Sequence, residues 1–196
     1  AATVLQNQFE KEGINLFLES NNLTLKKTEN GILVRGLKGK ESSPYETTVD
    51  KLLIAVGRTP NLEDLNLESA NVKFNARGVV VNDSMQTSNP RIFAAGDVCS
   101  KYKFTHAADF QARIVIQNAL FAIGPIGRKK ASRLLIPRAT YTSPEIAHVG
   151  LYPQEAAEQS IEIDTFIQSF EHVDRAILES AEAGFVKVHT RKGTDQ

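Results

Sequence analysis

Residues 91–98 read Arg-Ile-Phe-Ala-Ala-Gly-Asp-Val, and residues 78–83 ahead of them read Gly-Val-Val-Val-Asn-Asp. An apolar run that stops at Gly-Asp is a strand reaching its carboxyl end and delivering a carboxylate, Asp97, to the edge of a sheet. There it can accept hydrogen bonds from ligand hydroxyls. The small residues before it, Ala94, Ala95 and Gly96, let a ligand approach the backbone. The same dipeptide is also ordinary turn chemistry. Taken alone, Gly-Asp leaves both readings open.

Upstream, residues 52–61 read LLIAVGRTPN. Leu52 to Val56 is an unbroken apolar run, the mark of a strand buried on both faces. Val79 to Val81 and Ile92 to Ala95 are two more apolar runs. Downstream, the spacing predicts a helix over 106–122, with Phe110, Ile114 and Phe121 near one face. Thr105 is a candidate N-cap, and Gly124-Pro125 closes the element. At the start, Val4, Leu5, Gln8 and Phe9 share a helical face over residues 2–12, followed by Gly13. Ile14, Leu16 and Leu18 alternate as in a strand. Leu23/Leu25 and Ile32/Val34 mark short strands beside the turn residues Asn21-Asn22 and Glu29-Asn30-Gly31, and Gly39 to Pro44 reads as a hairpin tip. Past the basic run Arg128 to Arg133, read as a solvated linker, the texture changes. Ala139 to Tyr141, Ile161 to Phe170 and Phe185 to Thr190 read as strands of an antiparallel sheet. Pro153 to Gln159 reads as a short helix with Pro in its first turn.

Composition narrows the function classes. The 196 residues are 41% hydrophobic and 23% charged, the balance of a folded globular chain rather than a disordered one. With 23 basic and 23 acidic residues there is no electrostatic case for nucleic acid or an anionic membrane as partner. No apolar run approaches the roughly 20 residues of a spanning helix. The single cysteine, Cys99, leaves no internal disulfide and no multi-cysteine zinc site. A reducing, cytoplasmic setting is the expectation.

The two segments LLIAVGRTPN and RIFAAGDV, at this spacing, resemble the second FAD-binding signature of the pyridine nucleotide-disulfide oxidoreductases. The resemblance extends over essentially the whole chain, through GINLFL at 13–18, YTSPEIAHVG at 141–150, DRAI at 174–177 and GFVKVHTRKGTD at 184–195. It is closest to the mercuric reductase-like members, with dihydrolipoamide dehydrogenase next. It implies an α/β fold: incomplete FAD- and NAD(P)-binding Rossmann-like portions, then part of an α+β interface domain. Residues 1–56 would be the C-terminal half of the NAD(P)-binding domain and 57–134 the C-terminal part of the FAD-binding domain. Residues 135–196 would be the N-terminal half of the domain that forms a homodimer.

The resemblance also implies roles. Asp97 would bind the ribityl chain of FAD, and Lys103, Phe104, Thr105 and His106 would run past the flavin. A helix start there favours negative charge on a reduced flavin, although an ordinary helix cap explains the same residues. Gly57 would sit where NAD(P) is contacted, or be needed only for its turn dihedral. Arg58 could meet a phosphate or a surface carboxylate. The role of Arg175 stays open.

The redox cysteine pair, the acid-base histidine-glutamate pair and any Gly-x-Gly-x-x-Gly are all missing from the sequence. Cys99 reads as a small semi-buried residue, and His148, His172 and His189 as interface or surface residues rather than metal ligands. No catalytic residue is assigned within these 196 residues. The chain opens on a helix and closes on a turn with no returning strand, so the expectation is an internal piece, inactive and a poor flavin binder by itself. The parent would pass a hydride from NAD(P)H to FAD and on to a disulfide or thiol-bound substrate. Two rival classes are another flavin-dependent oxidoreductase lacking the redox disulfide and a non-enzymatic dimerisation module.

Overall fold

The computed structural model describes residues 1–195. They fall into two compact units, one formed by Ala1–Ile54 with Pro137–Gln196, the other by Ala55–Ile136. Helix α1, Ala2–Lys11, opens the first unit and ends in a turn at Gly13. An antiparallel meander follows: β1 (Asn21–Thr28), β2 (Gly31–Lys38) and β3 (Ser43–Val49), in that order across the sheet. The register is set at the β1–β2 turn, where Thr28 faces Gly31 and the Thr28 hydroxyl donates to the Gly31 carbonyl at 3.0 Å. Only glycine suits position 31. Its φ is +125°, and a Cβ there would sit 2.6 Å from the Val49 carbonyl oxygen.

Two expected strands do not form. Ile14, Leu16 and Leu18 lie in irregular chain and turn, and Leu52 to Val56 has no strand structure. Rather than being buried on both faces, Leu53 and Val56 are 88% and 91% exposed. A buried parallel strand exists only by hydrogen bonding to neighbours on both sides. Among the described residues no segment pairs with either run, so the apolar pattern is present and the ladder is not.

The second unit holds most of the buried apolar side chains: Val72, Val79, Met85, Ala107, Ile114 and Ile136. Its first element is a small hairpin of β4 (Phe74–Asn75) and β5 (Gly78–Val79). The Asn82 carboxamide then closes a turn by accepting from the Ser84 and Gln86 amides at 2.9 and 3.1 Å. That turn brings residues 85–87 antiparallel to 92–94, with Ala94 N–H donating to Met85 O and Thr87 N–H to Ile92 O. The Ile92–Ala95 run is therefore a short bridge rather than a full strand. A 3-10 turn, Gly96–Val98, follows, and then helix α2, Thr105–Ile116.

Helix α2 differs from expectation at both ends. Its N-cap is Phe104, in extended conformation and without a side-chain cap, so Thr105 is the first helical residue rather than the cap. At its far end the chain widens into a π-turn, Gln117–Phe121. The change of period rotates Phe121 off the buried face, and it is 67% exposed. The buried stripe is instead Ala107, Gln111, Ile114 and Asn118. The basic run beyond is solvated in its side chains but tied down through its backbone. Lys129 N–H donates to Asn118 Oδ1 at 2.7 Å and Ala131 N–H to Asp83 O at 2.8 Å.

The rest of the first unit contains β6 (Arg138–Thr140) paired with β7 (Ile146–His148), helix α3 (Pro153–Glu158), β8 (Ile163–Ser169), helix α4 (Asp174–Leu178) and β9 (Phe185–Arg191). β8 and β9 pair antiparallel from Ile163↔Arg191 to Ser169↔Phe185. The expected single sheet is two separate two-stranded ladders among the described residues. Helix α3 starts as its sequence dictates. Pro153 takes the first position, where no amide donor is required, and Glu155 accepts from the Tyr152 N–H at 2.9 Å. No helix among the described residues is long and apolar enough to cross a membrane.

Candidate functional site

The site is built on the Gly96–Val98 turn and the start of α2. Gly96 has φ +80°, and a Cβ on it would lie 3.1 Å from the Ala108 Cβ, so the turn packs tightly on the first turns of the helix. The packing needs a residue with no side chain, and the dihedral needs the same one. From the opposite side, Gly78 of β5 has φ +126° and its Cβ would sit 2.3 Å from the Val98 carbonyl oxygen. The Gly-Asp turn is thus held between the hairpin and the helix, and the direction of Asp97 follows from the backbone rather than from a flexible loop.

The Asp97 carboxylate is partly exposed and faces the Arg58 guanidinium at 3.5 Å. Of the two readings for Arg58, the carboxylate is the partner found. Arg58 also reaches the Lys103 carbonyl at 3.4 Å, and the Lys103 ammonium donates to the Asp97 carbonyl. Asp97, Arg58 and Lys103 therefore form one cluster, with Arg58 on the carboxylate of Asp97 and Lys103 on its backbone carbonyl. As an exposed arrangement it contributes little stability, since such pairs are worth about 0–1 kcal/mol. It does place positive charge beside the start of α2. Gly57, next to Arg58, has φ +126° and open space where a Cβ would project. The turn dihedral calls for glycine, and no atom lies within 4 Å of the position a Cβ would take.

Phe104 and His106 flank the helix start, their rings stacked with centroids 5.4 Å apart, and His106 meets the edge of Phe110 at 6.1 Å. Thr105 between them is exposed. Cys99 is half-buried, with its Sγ 3.6 Å from the Gly96 carbonyl, and burial pushes its thiol up to about 11 although Lys103 opposes the shift. A thiol held protonated in this way is a poor nucleophile.

Sequence reasoning missed Gln111 and Ser100. Gln111 accepts from the Gly96 N–H at 2.8 Å and donates to the Ser100 hydroxyl at 2.9 Å. The only signal in the sequence is an amide at a position where the helical stripe calls for an apolar residue.

Outside this unit, His148 and His189 have local partners, and His172 ends the 3-10 turn Phe170–His172. His148 stacks on Tyr152 at 3.7 Å and bonds the Gly150 carbonyl, and His189 bonds the Thr165 hydroxyl at 2.9 Å. Arg175 pairs with Glu179 one turn along α4. No group of His, Cys, Asp and Glu able to hold a metal occurs among the described residues.

Two family models match: pyridine nucleotide-disulphide oxidoreductase over residues 1–112, and the dimerisation domain of the same family over residues 136–196. A mercuric reductase of Staphylococcus aureus is 40% identical over 140 residues, covering 71% of this chain and 25% of the relative. A dihydrolipoyl dehydrogenase of Thermus scotoductus is 32% identical over 195 residues, covering 99% and 41%. Among solved structures, LpdA from Mycobacterium tuberculosis superposes with a TM-score of 0.81 at 26% identity, covering 98% of this chain and 40% of that one. The HOCl-induced flavoprotein disulfide reductase RclA from Escherichia coli gives 0.80 at 24% identity over 97% and 42%, a likeness of fold. The chain thus spans from a quarter to about two fifths of the length of these proteins. With the first model covering more than half its residues, the chain belongs to the pyridine nucleotide-disulphide oxidoreductase family.

Proposed function

We propose that this chain is part of an FAD-dependent NAD(P)H disulfide oxidoreductase of the mercuric reductase-like kind, with Asp97 as a ligand of the flavin's ribityl chain. The observation that carries the reading is the Gly96–Val98 turn, locked by its backbone so that a partly exposed carboxylate stands beside the start of a helix. The donor set suits the group. A carboxylate accepts from polyol hydroxyls, while Arg58, Lys103 and the amino end of α2 favour a diphosphate or an electron-rich ring. FAD, when bound, supplies the two-electron chemistry, and the protein contributes orientation and electrostatics.

Within this reading Asp97 fixes the hydroxylated arm, and Arg58 exchanges or shares its carboxylate partner. Phe104, Thr105 and His106 form the edge along which the ring lies, and Lys103 braces the Asp97 backbone. Gly57 leaves room for the nicotinamide nucleotide. Residues 1–56 belong to the NAD(P)-binding domain, 57–134 to the FAD-binding domain and 135–196 to a dimerisation domain that pairs two copies in the cytoplasm. The electron acceptor is a disulfide or a thiol-bound ion such as mercuric ion. A dihydrolipoyl dehydrogenase is the second reading, supported by the relative that aligns over nearly the whole chain.

The test is Asp97→Ala in the full protein, with FAD titrated into deflavinated enzyme and followed by flavin absorbance. Loss of hydrogen bonds to a charged acceptor costs about 1.5–3 kcal/mol, so the dissociation constant should rise roughly 10- to 150-fold. Wild-type affinity in the variant would refute the assignment.

A further inference from the structure

We infer that Gln111 is the positioning residue of the flavin site, acting through the Gly96–Ser100 segment; this rests on the flavin reading above. Gln111 is 5% exposed and lies on the buried stripe of α2, where its carboxamide makes two bonds to one segment of chain. Oε1 accepts from Gly96 N–H at 2.8 Å, immediately before Asp97, and Nε2 donates to Ser100 Oγ at 2.9 Å, three residues after it. Ser100 is itself buried, its amide closes on the Gly96 carbonyl at 2.9 Å, and its hydroxyl accepts from Tyr102 N–H at 3.0 Å. Tyr102 leads directly into Lys103 and Phe104. One side chain on the helix therefore pins the turn that aims Asp97 and, through Ser100, the strand of chain that enters α2.

A buried amide is costly to keep in an apolar stripe unless all its polar atoms are used. Gln111 has each end engaged, and it spans the segment at which the site residues sit. The π-turn that continues α2 supplies an internal comparison. Asn118, also 5% exposed, donates to Ser84 O at 3.0 Å and Lys129 O at 2.9 Å and accepts from Lys129 N–H. It is as buried and as fully bonded as Gln111, but every contact is to chain away from Asp97. If the buried amides of this stripe served stability alone, the two would be equivalent. Of the two amides, only Gln111 bonds the segment that carries Asp97.

The experiment uses the full flavoprotein with Gln111→Leu, Gln111→Glu and Asn118→Leu. For each variant it measures thermal stability, the FAD dissociation constant and the shape of the visible flavin band. Gln111→Leu removes two buried bonds to the turn and is expected to weaken FAD by about tenfold or more, with an altered band. Gln111→Glu keeps an acceptor for Gly96 N–H, and the Ser100 hydroxyl can turn to donate to it, so affinity should return to within about threefold of wild type. Asn118→Leu should lower thermal stability comparably with FAD affinity unchanged. Should Gln111→Leu fail to fold, Ser100→Ala removes the far half of the clamp and must weaken FAD in the same direction. The inference is overturned if Gln111→Leu (or Ser100→Ala in its place) binds FAD as wild type does, if Gln111→Glu gives no rescue, or if Asn118→Leu loosens FAD equally. A wild-type protein that takes up no FAD overturns the flavin reading itself; a flavin-bound wild type beside indifferent Gln111 variants overturns only the clamp.

Discussion

Gly57 and Gly78 share a φ of +126° and differ in what a methyl group would meet, which makes Gly57→Ala and Gly78→Ala a controlled pair. Both variants force an L-residue into a positive-φ conformation, a strain of about 1–3 kcal/mol. At Gly57 nothing lies within 4 Å of the added Cβ, so the strain is the whole effect. At Gly78 the Cβ would be 2.3 Å from the Val98 carbonyl oxygen and 3.1 Å from its carbon. Backbone cannot rotate aside as a side chain does, so the turn must shift, at a further cost of about 1–3 kcal/mol for an overpacked site. The displaced group is the residue after Asp97, so the damage is local to the candidate site. Cys99 and Ser100 close the turn by donating their amides to the Gly96 carbonyl at 3.1 and 2.9 Å. Amide hydrogen exchange at Cys99 and Ser100 reads that closure directly. Gly78→Ala should accelerate exchange there by about tenfold or more, each factor of ten corresponding to about 1.4 kcal/mol, while Gly57→Ala leaves it near wild type. Equal exchange in the two variants, or faster exchange in Gly57→Ala, would refute the view that the β5 glycine holds the Gly-Asp turn.

Two titrations follow from the same unit. Burial raises the Cys99 thiol from 9.0 to about 11, so the folded state holds its proton more tightly than the unfolded chain; the associated stability is complete below about pH 9 and is lost as pH rises towards 11. Alkylation of folded protein by iodoacetamide should stay slow at pH 8 and rise with a midpoint near 11, and a midpoint near 9 would contradict the burial. Asp83 accepts from the Ser132 N–H at 2.7 Å and the Ser132 hydroxyl at 2.8 Å, and these bonds hold its carboxyl below the ordinary carboxylate value. The stabilisation is therefore present above the unfolded value and lost as pH falls through the lowered one. Ser132→Ala should move the Asp83 carboxyl upward in an NMR titration, and an unmoved carboxyl would show that the backbone amide alone sets it.

The residues that name the family were legible because they are local. Gly-Asp after an apolar run, a Gly-Arg-Thr-Pro-Asn turn and a Tyr-Thr-Ser-Pro-Glu stretch carry their meaning in order and spacing. The β1–β2 turn at Glu29-Asn30-Gly31 and the Pro153 start of α3 were readable for the same reason, since each depends on the dihedrals or donors of one or two residues. Leu52 to Val56 was not. Its apolar run reports a preference for burial, whereas a strand also requires neighbours to receive its hydrogen bonds, and no described residue supplies them. Phe121 failed differently, because helical periodicity extrapolates a 3.6-residue repeat and the π-turn at Gln117–Phe121 breaks that repeat.

The sequence by itself determined the family, the turn at Gly31 and the Pro153 start of α3, because short-range sterics and turn chemistry are written residue by residue. Tertiary structure alone decided that Arg58 faces Asp97 across 39 positions of chain, that Gly78 buttresses Val98, and that the amide of Gln111 spans Gly96 and Ser100. Those are contacts between segments whose separation along the chain says nothing about their meeting in space. Packing of the hairpin and α2 around the turn brings them together.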